Sequence, residues 1–208
     1  MKRFYSSFTI LEIIFVLLLV GIINSQVTLK NNIPKLKLIK QQLILHLKYT
    51  KYIAMLDNKY DHKDSLWFRK LWTLKFLHCK SSIGGLYYII YSDKNKNGYI
   101  SKDETLKDPL TGNYIYSYEC SKDSLYDKSK FVLLTQEYDI KDIHISCNST
   151  DTIGQISFGN NGDIFTRLAT EESKMDKYRL KNNCYIVLKD KKNHQETITI
   201  VPNTGEIY

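Results

Sequence analysis

The sequence lacks the short motifs that mark the common classes of enzyme. It has no G-x-S-x-G, H-E-x-x-H or P-loop string, and its five histidines are scattered along the chain. It also lacks C-x-x-C pairs and any grouping of cysteine and histidine with zinc-finger spacing, which argues against a structural zinc site. We therefore expect a protein that is not an enzyme.

Arginine is scarce although the chain is basic. The formal net charge is +8, yet the arginines are limited to Arg3, Arg69, Arg167 and Arg179. Bidentate contacts to phosphates and bases favour arginine, and the lysines of this chain are dispersed rather than clustered. The charge therefore indicates a solvated, lysine-rich surface more than a site for specific DNA binding.

Cysteine is limited to Cys79, Cys120, Cys147 and Cys184. An even number of cysteines indicates disulfides if the domain lies outside the cytoplasmic membrane, where the environment is oxidising. Four cysteines allow three pairings, and the sequence does not choose among them. Our working prediction joins Cys79 to Cys120 and Cys147 to Cys184, which closes two separate loops. Four buried thiols are the alternative.

A signal-peptidase site is also missing after the apolar N-terminal run. The run covers residues 10–23 behind a short basic leader, and one carboxylate, Glu12, interrupts it near its start. No A-x-A-like site follows, so we expect the segment to remain on the mature protein. A helix over residues 8–23 measures roughly 24 Å at ~1.5 Å per residue, and extension to residue 29 makes it long enough to cross a bilayer.

The string F-T-I-L-E at residues 8–12 resembles the F-T-L-I-E signature of type IV pilins and pseudopilins. In that family a prepilin peptidase cuts before the phenylalanine and the new amine is methylated. The acid five residues into the mature chain then faces the amine of a neighbouring subunit. The resemblance implies cleavage between Ser7 and Phe8, methylation of Phe8 and an assembly role for Glu12. The family normally has glycine where this chain has Ser7.

A carboxylate in an apolar helix needs a partner whatever the family. Insertion scales put an acid at the centre of a membrane helix at a cost of about 2.5–3.5 kcal/mol, so such acids are usually paired. The alternative interpretation is a plain N-terminal membrane anchor with a stray acid. The combination of leader, Phe8, acid position and apolar run favours the pilin interpretation.

The pattern after the apolar run predicts an amphipathic helix and then many short strands. Pro34 should kink or restart the helix, because proline removes a backbone donor. Three- and four-residue steps, typical of one helix face, separate Leu36, Ile39, Leu43 and Leu47, and Ala54 lies two turns further on. Strand candidates occupy residues 67–77, 86–91, 131–134, 143–147, 155–158, 184–189 and 197–201.

Turn signals separate several of these strands. The pair Gly84-Gly85 predicts a turn, N-N-G-D at residues 160–163 predicts a hairpin, and P-N-T-G at residues 202–205 predicts a last turn. We therefore predict an α+β protein, in which a long N-terminal helix packs on an antiparallel sheet or sandwich head. The predicted parts are a leader (1–7), a transmembrane and assembly helix (8–29), an amphipathic half of the same helix (30–57) and a β-rich head (65–208).

Three motifs in the head extend the resemblance. The turn at residues 91–98, the hairpin at residues 156–162 and the strand and turn at residues 198–205 look like the GspH/FimT branch of minor pseudopilins. In that branch an F-x-D-x-N-x-[ND]-G turn, an I-x-F-x-x-x-G hairpin and a terminal I-x-[IV]-x-x-x-G strand occur in this order. The resemblance implies a β-rich globular head on a long helical spine.

The residues from Asp93 to Glu104 match a calcium-loop template. Asp93, Asn95, Asn97, Gly98 and Glu104 fit an EF-hand loop at positions 1, 3, 5, 6 and 12, which supplies staggered oxygens and a closing carboxylate. The flanks differ from an EF-hand, because a predicted strand precedes the loop and no helix is predicted after it. A polar β-turn without metal is the alternative, since asparagine and glycine favour such turns.

Together these features predict a minor pilin or pseudopilin of the bacterial inner membrane. We expect a periplasmic head, processing by prepilin peptidase, and assembly with other subunits into a type IV pilus or a type II secretion pseudopilus. One alternative is DNA capture for uptake, which in some FimT-like members uses an arginine-containing tail after the last glycine. Here Gly205 precedes Glu206, Ile207 and Tyr208 instead. Another alternative is a membrane-anchored, periplasmic calcium-binding domain.

Overall fold

The computed structural model describes residues 9–30, 34–117, 120, 127–202 and 204–208. The chain divides into two units, Met1–Pro34 and Lys35–Tyr208. The described helices are α1 (Ile10–Lys30), α2 (Lys35–Leu56) and α3 (Leu134–Tyr138). The described strands are β1 (Trp72–His78), β2 (Leu86–Tyr91), β3 (Ile140–Ile145), β4 (Gly154–Phe158), β5 (Ile164–Phe165), β6 (Cys184–Asp190) and β7 (Gln195–Ile200).

The predicted α+β class is confirmed: α2 packs on antiparallel sheets. The predicted helical region contains two helices, and the second begins immediately after Pro34. Proline is well suited to this position, because it lacks the backbone N–H that a continuing helix would use.

The first sheet has the strand order β2-β1-β4-β5, and all of its pairs are antiparallel. The predicted turn at Gly84 and Gly85 joins β1 to β2. Both glycines have positive φ, and a Cβ on Gly85 would lie 2.7 Å from Cβ of Thr135. This turn therefore needs glycine twice, once for the left-handed backbone and once for the close approach of α3.

The predicted hairpin at residues 160–163 is also present, between β4 and β5. Gly159 donates its N–H to the carbonyl of Asp163 at 2.8 Å, and Ser157 is paired with Phe165. Gly162 has a φ of +86°, which a glycine in a tight hairpin turn adopts without strain.

The second sheet has the order β3-β6-β7 and is likewise antiparallel. Its outer strand, β7, is continued by the last turn, where Gly205 donates its N–H to the carbonyl of Val201 at 3.0 Å. Thr199 and Tyr208 then exchange backbone hydrogen bonds of 2.8 and 3.1 Å. The predicted turn therefore folds the described C-terminal residues back along β7.

One face of α2 supplies the centre of the core. It contacts β1 and β4 of the first sheet and β6 and β7 of the second. All the apolar positions predicted for its inner face are buried, namely Leu36, Ile39, Leu43, Leu47 and Ala54. His46 and Thr50 are buried on the same helix, although the apolar pattern alone does not include them.

One predicted strand is absent, and the limits of three others are wrong: the strand predicted at residues 143–147 covers Ile140–Ile145, the one predicted at 197–201 covers Gln195–Ile200, and the one predicted at 67–77 starts too early. Residues 131–134 do not form a strand, because a 3-10 turn covers Lys130–Val132 and α3 begins at Leu134. A short apolar run without alternation does not distinguish a strand from a buried helix, and here the run is buried beside α2 and β2. The strand predicted at residues 67–77 begins only at Trp72, because a 3-10 helix at Trp67–Lys70 first buries Phe68 in a small second core.

We predict that Leu43→Ala lowers the free energy of unfolding by about 2–5 kcal/mol, because Leu43 is fully buried between α2 and the sheets. Leu38→Ala is the matched control: Leu38 lies on the same helix and is 46% exposed, so we expect a change of about 0.5 kcal/mol or less. Urea unfolding followed by tryptophan fluorescence measures both. Similar losses in the two variants would contradict the assigned face of α2.

Candidate functional site

The start of α1 is the first candidate site, and it is built around Glu12. The Glu12 carboxylate accepts hydrogen bonds from the backbone N–H of Thr9 at 2.8 Å and from its hydroxyl at 3.1 Å. The Thr9 hydroxyl in turn accepts from the backbone N–H of Glu12 at 3.4 Å. This reciprocal pair is a capping box, whose T-x-x-E pattern can be read from the sequence. The predicted cleavage-site residues Ser7 and Phe8 lie outside the described residues.

From Ile10 to Ile22, α1 presents apolar side chains on all of its sides. Each large apolar side chain from Ile10 to Ile22 is between 44% and 80% exposed. No helix in the described part of the chain is long and apolar enough to cross a membrane.

The loop from Asp93 to Glu104 is the second candidate site, and it joins β2 to a 3-10 turn. Gly98 donates its N–H to Oδ2 of Asp93 at 3.0 Å, which closes the first half of the loop. Asn95 and Asn97 accept hydrogen bonds from the backbone two residues further on, at 2.9 and 2.7 Å. These are the side-chain-to-backbone turns that asparagine favours.

The Glu104 carboxylate lies inside the loop and accepts hydrogen bonds from both of its halves. Its Oε1 accepts from the backbone N–H groups of Lys94 and Asn95 at 3.0 and 3.4 Å. Its Oε2 accepts from the backbone and hydroxyl of Ser101 at 3.1 and 3.0 Å. Burial acts to raise the pKa of the Glu104 carboxyl, but these hydrogen bonds outweigh burial and lower the pKa below its usual value.

The sequence prediction missed the 3-10 turn Lys102–Glu104, which forms the end of the loop. Ser101 is its N-cap and Glu104 its third residue, and the two form a capping box. The S-x-x-E pattern carried this signal. Among the described residues, no three His, Cys, Asp or Glu side chains are placed so that they could share a metal ion.

A buried polar cluster around His46 is a feature that the sequence analysis did not identify. His46 lies on the inner face of α2 and is fully buried with Tyr88 of β2. Its Nδ1 is 2.7 Å from the Tyr88 hydroxyl and its Nε2 is 2.8 Å from the side-chain nitrogen of Gln42. An amide nitrogen only donates, so Nε2 of His46 accepts and Nδ1–H donates to the Tyr88 oxygen. This arrangement fits a neutral imidazole.

Asp108 is the charged member of this cluster. Its Oδ2 lies 3.9 Å from Nε2 of His46 and accepts from the Ser129 hydroxyl at 3.0 Å, while its Oδ1 accepts from the N–H of Leu110 at 2.8 Å. Burial lowers the pKa of His46 to about 4, although Asp108 acts to raise it. The cluster joins α2 to the segment between β2 and α3 and holds no reactive pair exposed to solvent.

Both disulfides have the pairing that the sequence analysis predicts. Cys79 is joined to Cys120 and Cys147 to Cys184, with Cα–Cα distances of 5.6 and 5.3 Å. The first connects the end of β1 to the segment after β2, and the second connects the segment after β3 to the start of β6. Each closes a separate loop and restricts the unfolded chain.

The residues of the last turn, Thr204 and Gly205, are held against α2. Gly205 and Thr204 accept hydrogen bonds at 3.0 Å through their carbonyls from Nζ of Lys51 on α2. Ile207 is buried and bridges to Ile200. Ile207 and Tyr208 therefore pair with β7.

No family model, no characterised protein and no solved structure matches this chain.

We predict that stability falls as the pH drops from 7 to 5, because the unfolded chain protonates His46 near pH 6.5 whereas the folded chain does so only near pH 4. The unfolded state binds the extra proton within this window, so the loss for this residue should be about 2 kcal/mol. Urea unfolding at the two pH values measures it. His46→Gln should remove that share of the pH dependence, and an unchanged pH dependence in the variant would contradict the buried neutral histidine.

Proposed function

We propose that the chain is a minor pilin or pseudopilin, a structural subunit that assembles through its N-terminal helix into a type IV pilus or type II secretion pseudopilus. The observation that carries the proposal is the F-T-I-L-E string at residues 8–12, placed between a basic leader and an apolar run. In this proposal the protein is anchored in the bacterial inner membrane with its head in the periplasm. Its mechanism is assembly and involves no catalysis.

The exposure of α1 supports this proposal. A helix that is apolar all round is stable only where apolar surroundings replace water, either lipid or other helices. From Ile10 to Ile22 the large apolar side chains are all exposed, far beyond the isolated apolar groups of an ordinary surface. A bilayer before assembly and neighbouring α1 helices after assembly would each cover such a surface.

In this proposal Glu12 makes the specific contact between neighbouring subunits. Cleavage after Ser7 would create a new amine at Phe8, four residues before the carboxylate. The present partner of Glu12 is Thr9, through a capping box that leaves the side chain exposed. The carboxylate can therefore keep a hydrogen bond at the helix start while it attracts the amine of a neighbouring subunit. A charge pair in an apolar layer is favourable because either charge alone is costly there.

The head supports the proposal in a second way. Periplasmic domains lie in an oxidising compartment, and both cysteine pairs are joined.

We predict that cells with prepilin peptidase convert the chain to a form that lacks residues 1–7, whereas cells without it keep the full length. Ser7→Gly should raise the processed fraction, because the family has glycine before the cut. Ser6→Gly is the matched control one residue earlier, and it should have little effect. Gel mobility and intact mass measure the conversion. A chain of identical mass in both kinds of cell would count against filament membership.

We predict that Glu12→Gln leaves the amount of protein in the membrane unchanged and lowers its incorporation into filaments by about tenfold or more. A loss of about 1.4 kcal/mol in the free energy of pairing already lowers the equilibrium constant for pairing tenfold. Thr9→Ala is the comparison variant, because it removes the two hydrogen bonds of the Thr9 hydroxyl and keeps the charge of Glu12 and its bond to the backbone N–H of residue 9. Immunoblots of sheared filaments and membranes measure both pools.

These two variants separate the two roles of Glu12. If the carboxylate only caps α1, Thr9→Ala should cost about as much as Glu12→Gln, since capping contributes about 1 kcal/mol. If it pairs with a neighbouring amine, Thr9→Ala should assemble nearly normally. Equal defects in the two variants would remove the assembly role from Glu12.

A further inference from the structure

A buried carboxylate oxygen of Asp93 lacks a hydrogen-bond partner within the described part of the chain. Asp93 is only 6% exposed, and among the described residues no donor lies within hydrogen-bond distance of its Oδ1. The other oxygen of the same carboxylate accepts from the N–H of Gly98 across the loop, so the carboxylate faces the inside of the loop. A buried, unpaired carboxylate oxygen is costly unless a cation or a donor satisfies it.

A second carboxylate, from the other end of the loop, contacts the backbone of the two residues after Asp93. Glu104 is 5% exposed, and its Oε1 accepts hydrogen bonds from the backbone of Lys94 and Asn95, the two residues after Asp93. The loop therefore folds so that both of its buried acids lie against its first turn. Two buried negative charges in one small loop favour the binding of a cation.

The remaining oxygens of the loop are of the kind that calcium prefers. Asn95 and Asn97 each use their carbonyl oxygen to accept one backbone hydrogen bond, and a carbonyl oxygen has a second lone pair for an ion. In the EF-hand template the seventh position contributes a backbone carbonyl, here that of Tyr99. Calcium takes six to eight such oxygen ligands in flexible geometry.

The lysines within the loop do not cancel this charge. Nζ of Lys96 pairs with Asp64 at 2.7 Å, outside the loop, and Lys102 pairs with Asp127. Lys94 is exposed. Two of the three cations are therefore paired with carboxylates that are not candidate ligands.

From these observations we propose that the loop at residues 93–104 binds one calcium ion, held by Asp93, Asn95, Asn97 and Glu104. The inference goes beyond the filament proposal and does not rest on it. Two acidic ligands are few, and binding exchanges the hydrogen bonds from Lys94 and Asn95 to Glu104 for contact with the ion. We therefore place the affinity in the weak range of extracellular calcium modules, a Kd of about 0.1–1 mM.

The first test compares the unfolding of the full-length chain in detergent micelles, with calcium chloride and with a chelator. At a calcium concentration ten times Kd, the folding equilibrium constant should rise about tenfold. Magnesium at the same concentration should do much less, because it demands a small octahedral site and gives up its water reluctantly. Isothermal titration with calcium alone measures the Kd directly.

Three variants identify the ligands. Asp93→Asn keeps an acceptor for Gly98 and removes the charge, so it should weaken calcium binding about tenfold or more. Asp103→Asn is the matched control, because it removes an exposed acid of the same loop at a position that the template does not use. Asn95→Asp adds a third acidic ligand and should tighten binding severalfold, since affinity in these loops follows the number of charged ligands.

The calcium response also distinguishes binding from a purely structural role of Asp93. If Asp93 only closes the turn, Asp93→Asn would destabilise the chain equally with calcium and with chelator. Failure of Asp93→Asn to fold leaves the Asn95→Asp titration as the deciding measurement. The proposal is overturned if the wild type shows no calcium response at about 10 mM, or if Asp93→Asn and Asp103→Asn respond alike, or if Asn95→Asp binds no more tightly than the wild type.

Discussion

The burial of one face of α2 against both antiparallel sheets is the constraint on which the Lys35–Tyr208 unit depends. Leu43 and Leu47 are fully buried there, and the helix contacts strands of each sheet. The hydrophobic area that this single helix removes from water is therefore shared by both sheets. Two lysines of α2 also bond to the second sheet and the last turn. Lys40 forms a salt bridge with Glu196 at 3.0 Å, and Lys51 donates a hydrogen bond to the carbonyl of Thr204.

The polar cluster of His46, Tyr88 and Asp108 adds geometric precision to this core. Hydrogen bonds are directional, so the buried bond from His46 to Tyr88 of β2 constrains the rotation of α2 more closely than leucine packing alone, while Gln42 on the same helix orients the imidazole. Asp108 belongs to the segment between β2 and α3, so the cluster also fixes this segment against α2. The Cys79–Cys120 disulfide attaches the same segment to the end of β1. The segment that contains the proposed calcium loop is thus held at several points.

The two units differ in how far they bury their apolar side chains. The unit Lys35–Tyr208 buries a large core of its own, whereas the large apolar side chains of α1 from Ile10 to Ile22 are exposed. A helix of that kind gains stability only from a partner or a lipid environment, since exposed apolar surface is unfavourable in water. The filament proposal assigns this gain to assembly and leaves the head free to remain folded before and after it.

Periodicity predicted the parts of the fold in which the burial of side chains dominates. The inner face of α2, strand β2 and the hairpin at Gly162 follow directly from three- and four-residue steps, an apolar run and a glycine turn. The sequence was ambiguous at residues 131–134, where an apolar run is buried on all sides and carries no period. His46 was missed because its partners, Tyr88 and Asp108, are distant in the sequence and meet only through the fold. The capping boxes at Glu12 and Glu104 can be read from their T-x-x-E and S-x-x-E spacing. They were not predicted, because Glu12 was interpreted as an assembly residue and Glu104 as a calcium ligand.

The most direct test of the central claim is mass spectrometry of the first residue of the chain in filaments sheared from the cells that make it. The filament proposal predicts a chain that begins at an N-methylated Phe8 and retains the whole apolar run of residues 10–23. A first residue downstream of Ile23 would contradict it, because the helix that is proposed to assemble would then have been removed.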